Sequence, residues 1–206
     1  MPLVRGNSKG PGAGGGRANI ALHEAALGSA EAESRWSAAR ALAGRRDAVP
    51  VLAAALAAET VPRVREAIMT SLVRIGDDAG VKVIVPYLRS QDAGLRAAAV
   101  EALQSLPEAI APFTRTLFAD TDSDVRLLAT ELTRNMDAPE ATRLLCDLIE
   151  HEQHPNVCAA AIEVLAEVGT RDALPALERC AVRFAATPFL PFAISVAIAR
   201  IKGAQG

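Results

Sequence analysis

The sequence predicts an all-α fold of stacked helix pairs, a right-handed α-α superhelix of about five pairs followed by a final helix. The stretch VREAIMTSLVRIGDD, which begins at Val64, returns in altered form from residues 95, 125 and 157. The steps are 31, 30 and 32 residues, and a regular step of this size is typical of stacked repeat units. Aromatic residues make up only 3% of a chain that is 50% apolar, so alanine and leucine, which favour helices, supply most of the core.

Apolar spacing places the helices along the chain. Val64, Ile68, Leu72 and Ile75 are 4, 4 and 3 residues apart, which puts them on one face of a helix. The same reasoning, with turn residues as boundaries, predicts a short first helix, five pairs and a last helix. The expected ranges are 18–27; 29–43 with 48–59; 63–75 with 79–89; 94–106 with 108–118; 124–136 with 139–150; 156–168 with 172–184; and 190–202.

Two segments depart from this regular pattern. Residues 1–17 are rich in glycine and are expected to form a disordered tail, which leaves 18–206 for the repeat domain. Pro86 falls inside a predicted helix, where it removes a backbone donor and should kink or break that helix beside Tyr87, the only tyrosine.

The repeated stretches resemble a known family. Val64-Arg65, Leu72 and Ile75-Gly76-Asp77, with Val125-Arg126, Ala129 and the run 172–177, are similar to the short HEAT-like repeats of phycobilisome-lyase-type proteins. The resemblance extends from about Ser29 onward and implies an α-solenoid. The family includes scaffolds, chromophore-lyase subunits, an iron-dependent hydroxylase of a protein lysine derivative and DNA-repair glycosylases, so the resemblance implies no single function.

Recurrent charged residues are expected to hold the repeats together. An aspartate at the turn inside each pair can cap the second helix, and an arginine that opens the next pair can reach a neighbouring acid or carbonyl. The aspartates are Asp47, Asp78, Asp137 and Asp172, and the arginines are Arg65, Arg96 and Arg126.

The sequence offers little for catalysis. His23-Glu24 and His151-Glu152 do not recur at the positions where the hydroxylase relatives place their di-iron ligands, and a di-iron site needs convergent carboxylates and imidazoles. His151, His154 and Cys158 are zinc-type ligands without an obvious fourth. We therefore predict no catalytic residue, no metal and no cofactor.

Charge and hydropathy narrow the class of partner. Residues 35–103 contain ten basic and seven acidic residues, whereas 104–170 contain four basic and twelve acidic ones. A continuous basic surface is missing, so nucleic acid is not the expected partner. We also expect no membrane segment, because no window reaches about 18 uninterrupted apolar residues. The absence of a signal peptide and an odd number of cysteines, three, favour reduced thiols in the cytoplasm. The resemblance to phycobilisome-lyase-type repeats implies a bacterial type of protein.

Two surfaces are predicted to bind a partner. The inner face of a solenoid is lined by the second helix of each pair, and the polar residues predicted there are Lys82, Tyr87, Arg115, Arg143, Asp147, Arg179 and Arg183. The last helix is unusually apolar, and Phe192, Ile194, Val196, Ile198 and Ile201 cannot all face inward. We expect that end to dock a partner or a second copy of the chain, which would form a homodimer.

The sequence therefore predicts a non-catalytic scaffold that binds another protein. The alternative is a role resembling the chromophore-lyase subunits or another enzyme-associated repeat protein.

Overall fold

The computed structural model describes the backbone of residues 13–203 and the side chains of residues 19–203. Every regular element within that range is helical. The chain divides into two compact units, residues 1–75 and 76–206. The boundary falls between the two helices of the predicted second pair, and the single repeat domain expected over 18–206 stays a prediction.

Four helices form the described part of the first unit, from residue 13 onward. They are α1 (Ala13–Leu27), α2 (Ala32–Ala41), α3 (Val49–Ala58) and α4 (Pro62–Val73), with a 3₁₀ turn at Arg46–Ala48. Helix α2 packs on both α1 and α4, and α3 packs on α4. Helix α1 begins at Ala13 rather than at residue 18, so part of the predicted glycine-rich tail is helical, while residues 1–12 lie outside the described part of the chain.

The apolar stripe of α4 lies in the core, as predicted. Val64, Ile68 and Leu72 are at most 1% exposed, because their spacing turns all three toward α2 and α3. Ile75, the fourth member, follows the end of the helix and is half-buried. The close approach of α2 and α4 is also held by a hydrogen bond, since the buried Ser71 Oγ donates to the carbonyl oxygen of Ala39 at 2.8 Å.

Eight helices form the described part of the second unit. They are α5 (Asp78–Ile84), α6 (Ala93–Gln104), α7 (Pro107–Phe118), α8 (Ser123–Glu131), α9 (Ala138–His151), α10 (Pro155–Val168), α11 (Leu174–Arg183) and α12 (Leu190–Gly203). A 3₁₀ turn at Val85–Arg89 follows α5, and another at Arg171–Ala173 precedes α11. The prediction for Pro86 is confirmed, because the α-helix ends at Ile84 and the chain continues as a 3₁₀ turn. The exposed Pro112, in contrast, lies inside α7 without ending it.

Helices of the second unit stack in two rows. The first helices of successive pairs contact one another, α6 with α8, α8 with α10 and α10 with α12, and the second helices α7, α9 and α11 form the other row. This alternation is the expected arrangement of stacked helix pairs. Helix α12 therefore occupies the place of a first helix and packs on α10 and α11.

The burial of α12 corrects part of the predicted docking surface. Ile194 is 1% exposed and Ile201 is 3% exposed, and Ile198 packs partly buried against the same core cluster. These residues face α10 and α11, so they are not available to dock a partner. Phe192 is 73% exposed and is the one large side chain of the predicted set that faces solvent.

The helix caps also differ from the prediction. Asp77, Asp92 and Asp122 are the aspartates whose side chains accept from backbone N–H groups at the starts of α5, α6 and α8. Asp78 is the first residue of α5 and accepts from Lys82 Nζ, and Asp137 precedes α9 without a side-chain cap bond. Asp47 and Asp172 lie one residue too early for capping, inside the 3₁₀ turns that precede α3 and α11. The capping prediction is therefore wrong for all four.

Candidate functional site

An open cavity of about 590 Å³ lies in the second unit between the C-terminal part of α7 and the C-terminal half of α9 with the turn that follows it. Its volume is within the range of about 300–1,000 Å³ that ligand pockets occupy. Apolar side chains line part of it and charged or polar ones line the rest. The lining residues are Arg115, Phe118, Ala119, Asp120, Arg126, Leu144, Asp147, Leu148, His151, Glu152 and Gln153.

Two of the predicted binding residues meet at this cavity. Arg115 Nη2 lies 3.8 Å from Asp147 Oδ2, and both side chains are about two-thirds exposed. Arg143 Nη1 lies 4.0 Å from the same carboxylate oxygen, although Arg143 does not line the cavity. Ion pairs this long and this exposed contribute little to stability, so these charges are available to a ligand at small cost.

One side of the cavity contains an ion pair between Arg126 and Glu152, which we call the second clamp. The first clamp is the equivalent pair of Arg35 and Glu59 in the first unit. Arg126 on α8 donates from Nε and Nη2 to the two carboxylate oxygens of Glu152, at 2.7 and 3.0 Å. Glu152 Oε1 also accepts from the backbone N–H groups of Gln153 and His154, at 2.9 and 2.8 Å. The carboxylate is thereby fixed at the turn where α10 begins.

The hydrogen bonds of the second clamp keep Glu152 ionised. Burial is the strongest single influence and raises the pKa of Glu152, but the hydrogen bonds and charge of Arg126 and the N–H groups of His154 and Gln153 together outweigh it, so the pKa lies below its usual range. Asp120, whose side chain is only 8% exposed, is paired with Arg89 in the same part of the cavity wall. The buried carboxylates of Glu152 and Asp120 are therefore paired with arginines of this chain. The exposed charges of Arg115 and Asp147 on the rim are more available to a ligand.

The remaining predicted binding residues lie outside the cavity lining. Lys82 Nζ pairs with Asp78 Oδ2 at 2.6 Å on α5, and Tyr87 is half-buried in the 3₁₀ turn. Arg179 pairs with Glu150. Arg183 donates to the carbonyl oxygens of Ile149, Glu150 and Glu152, so its guanidinium group holds the C-terminal end of α9.

The sequence reasoning missed most of the cavity. Leu144 and Leu148 belong to the apolar stripe of α9. Nothing in the sequence distinguishes these two leucines, which line the cavity, from the other apolar residues of the stripe. Glu152 could have been found, because Glu-x-x-Pro occurs both at 59–62 and at 152–155, each time just before a first helix. In the first unit Glu59 forms the first clamp with Arg35, at 2.7 and 3.0 Å.

The histidines do not converge on a common centre. His151 Nδ1 lies 3.0 Å from the carbonyl oxygen of Asp147, and the Cys158 thiol points to the carbonyl oxygen of Glu152 at 3.7 Å. Among residues 19–203, no group of three or more His, Cys, Asp or Glu side chains is placed to hold a metal ion. No helix within residues 13–203 has both the length and the apolar character to cross a membrane.

Solved structures similar to this chain include an engineered protein, a designed armadillo repeat protein and an enzyme. An engineered protein from a structural genomics consortium is 20% identical, with 89% of this chain and 96% of that chain covered and a TM-score of 0.43. A designed armadillo repeat protein in complex with the peptide (KR)4 is 17% identical, with coverage of 88% and 99% and a TM-score of 0.45. Human deoxyhypusine hydroxylase in complex with glycerol is 16% identical, with coverage of 89% and 84% and a TM-score of 0.46. At this distance the likeness concerns the fold alone.

Sequence families give the more specific result. No curated protein matches the chain. The model for HEAT repeats matches residues 21–104 and 110–184, which is well over half of the sequence and includes helices of both units. The chain belongs to the HEAT-repeat family.

Proposed function

We propose that the protein is a non-catalytic scaffold that binds a segment of another protein in the cavity between α7 and α9. The observation that carries this proposal is the cavity itself, an open space of about 590 Å³ with an apolar lining and a charged rim. Protein interfaces combine an apolar centre with a polar rim in the same way.

The composition of the lining favours an extended segment with an apolar anchor. Phe118, Leu144 and Leu148 offer a surface for one apolar side chain, whose burial supplies most of the binding free energy. Arg115 and Asp147 lie on the rim with opposite charges and only a 3.8 Å contact between them. A partner segment with one acidic and one basic side chain can form an ion pair with Arg115 and another with Asp147. These two ion pairs would fix the position of the segment along the groove.

The family supports the coarse part of this proposal, since HEAT repeats are commonly protein-binding scaffolds. That the protein is not an enzyme and that it is cytoplasmic remain predictions from the sequence. The experiment below is designed to identify the partner.

The test is affinity capture with a charge-reversed rim. We would immobilise the full chain, its Arg115→Glu/His151→Glu double variant and Arg171→Glu, and quantify proteins retained from a lysate of the source organism by mass spectrometry. Arg171 is exposed in the turn before α11 and is not part of the cavity lining, so it controls for a change of charge alone. We expect the wild type and Arg171→Glu to capture at least one protein in equal amounts. The double variant should capture at least tenfold less of that protein.

Equal retention of every captured protein by all three chains would contradict the proposal, provided that circular dichroism shows the same helical content for each. Bilin absorbance in the purified protein after co-expression with a pigment pathway would instead favour the chromophore-lyase-like alternative.

A further inference from the structure

The end of the second unit formed by α11 and α12 exposes large apolar side chains. Four such side chains are exposed among residues 19–203, and three of them lie between positions 182 and 192. They are Val182, Phe189 and Phe192, whose exposed fractions are 80%, 46% and 73%. Exposed apolar side chains that cluster in this way are typical of an interaction site, whereas single ones scattered over a surface are ordinary.

Helix α12 has two faces of different character. Leu190, Ile194 and Ile201 are at most 3% exposed and pack in the core, where α12 contacts α10 and α11. Phe192 is two positions from both Leu190 and Ile194, which is about half a turn on a helix with about 3.6 residues per turn. Phe192 therefore lies opposite the buried stripe, on what we call the outward face of α12.

The outward face begins with two aromatic rings and continues with small side chains. The carbonyl oxygen of Phe189 accepts from the Ala193 N–H at 3.1 Å, so Phe189 continues the helical register and lies beside Phe192. Ser195 and Ala199 follow and are exposed. The Ser195 hydroxyl donates to the carbonyl oxygen of Phe192 at 2.7 Å, so its proton needs no partner outside the helix. Side chains this small let a second helix approach closely.

Charge at this end of the chain has one sign. Residues 179–203 contain four basic residues and no acidic one, whereas residues 1–178 contain 18 basic and 24 acidic ones. Two of the four basic side chains are held by α9, because Arg179 pairs with Glu150 and Arg183 donates to the carbonyl oxygen of Glu150.

Arg200 and Lys202 carry the other two positive charges. Both are exposed in the last turn of α12, and neither side chain makes an ion pair or hydrogen bond with another described residue. Arg200 follows Phe192 by eight residues, which is about 12 Å along the helix axis. The outward face therefore has aromatic rings at one end and uncompensated positive charge at the other.

We propose that the outward face of α12 binds an amphipathic helix of another protein, with its apolar stripe on Phe189 and Phe192 and its acidic side chains on Arg200 and Lys202. Aromatic side chains that become buried in an interface contribute much of its binding free energy. The complementary charges at the far end fix the direction of the bound helix. None of these four residues lines the cavity between α7 and α9, so this surface is separate from the one proposed above.

The same observations disfavour two other occupants. A second copy that met this face with its own α12 would bring more positive charge and no acidic residue. A lipid surface binds helices whose wide apolar face is free to enter the headgroup region. The apolar stripe of α12 lies in the core, so only Phe189 and Phe192 would be left to insert.

The experiment uses two synthetic fluorescent peptides and the full chain. The first peptide is a helix of about 18 residues with a stripe of leucines and two glutamates placed eight residues from the central leucine, and the second has lysines in place of the glutamates. We expect fluorescence anisotropy to show at least tenfold tighter binding of the glutamate peptide. Phe192→Ala should weaken that binding about tenfold. Leu22→Ala is the matched control, because it removes an exposed apolar side chain from the first unit and should change nothing.

A charge exchange tests the direction of the bound helix. Arg200→Glu/Lys202→Glu should reverse the preference, so that the lysine peptide binds more tightly than the glutamate peptide. A merely structural effect of the substitutions would not exchange the two peptides. Arg115→Glu/His151→Glu changes only the rim of the cavity and should alter neither affinity, so failure of the cavity proposal and failure of this one are distinguishable.

Equal affinity of the wild type for both peptides, or binding of neither, would overturn the proposal. Binding to vesicles of phosphatidylcholine and phosphatidylserine that Phe192→Ala abolishes would assign the face to lipid instead. A dimer in light scattering that Phe192→Ala abolishes would assign it to a second copy. The comparison of the two peptides on the wild type decides the proposal even if a variant does not fold.

Discussion

The two clamps are nearly identical in geometry but have different surroundings. In each, an arginine at the fourth position of a first helix holds a glutamate about 25 residues later, through bonds of 2.7 and 3.0 Å. Each glutamate also accepts from the next two backbone N–H groups, at 2.9 and 2.8 Å. Glu59 and Glu152 are 4% and 5% exposed. The same arginine–glutamate ion pair, with the same two backbone hydrogen bonds, therefore occurs at two places in the chain.

The difference lies in what surrounds each clamp. The carbonyl oxygen of Glu59 accepts from Arg65, whereas that of Glu152 accepts from the Cys158 thiol and Arg183. The second clamp also forms part of the cavity wall. This comparison teaches that the side chains beside a clamp can change from one repeat to another while the clamp and its turn are preserved.

The comparison also explains how the first helices begin. Helices α4 and α10 begin with a proline, and Val61 and His154, which precede them, make no side-chain cap bond. Here the clamp glutamate takes the place of the cap. Helices α6 and α8 have no clamp and begin after Asp92 and Asp122, whose side chains accept from the first-turn N–H groups.

The largest expected effect comes from removing the clamp arginine. Arg126→Ala leaves the buried Glu152 carboxylate without its charged partner, so we expect the free energy of unfolding to fall by about 3 kcal/mol. Arg35→Ala should act in the same direction through Glu59. Urea unfolding followed by circular dichroism measures both. A loss below about 1 kcal/mol for Arg126→Ala would mean that the clamp is not a stabilising unit.

The second effect is a loss of stability in acid. Hydrogen bonds from Arg35, acting against burial, lower the pKa of Glu59 from 4.5 to about 2. The folded carboxyl binds its proton less readily than the unfolded one, so the stabilisation is present above about pH 4.5 and is lost as the pH falls toward 2. Glu59→Gln should cost about 2 kcal/mol at pH 7 and progressively less in that window.

This pH dependence is measured as the urea midpoint from pH 7 to pH 2. Glu152→Gln should show the same sign, since the pKa of Glu152 is also lowered. Parallel curves for the wild type and Glu59→Gln across the window would contradict the prediction.

The smallest effect tests the helices that start without a clamp. Asp122→Ala removes the 2.9 Å bond to the N–H of Asp124 at the start of α8 and should cost about 1 kcal/mol. Lys82→Ala is the matched control, because it breaks an exposed pair with Asp78 that contributes only about 0.3–0.5 kcal/mol. If the two variants unfold at the same urea concentration, Asp122 is not an effective cap.

Much of the fold was predictable because its signals are local. The stripe of Val64, Ile68 and Leu72 specifies a buried helix face, and Pro86 specifies a break, from sequence spacing alone. The cavity and the contact of Arg183 with the turn after α9 were not predictable in this way. They depend on which side chains of different helices meet. The docking prediction for Ile194 failed for the same reason, because helical spacing does not say which neighbours cover a face.

The buried carboxylates have a consequence for hydrogen exchange. The amides of Thr60, Val61, Gln153 and His154 lie in turns, where exchange with solvent is ordinarily fast. Each is bonded to a carboxylate that an arginine holds in place, so its proton is released only when the ion pair opens. These turns therefore have the opening free energy of the clamps, and they should retain deuterium labels as long as the helices they join.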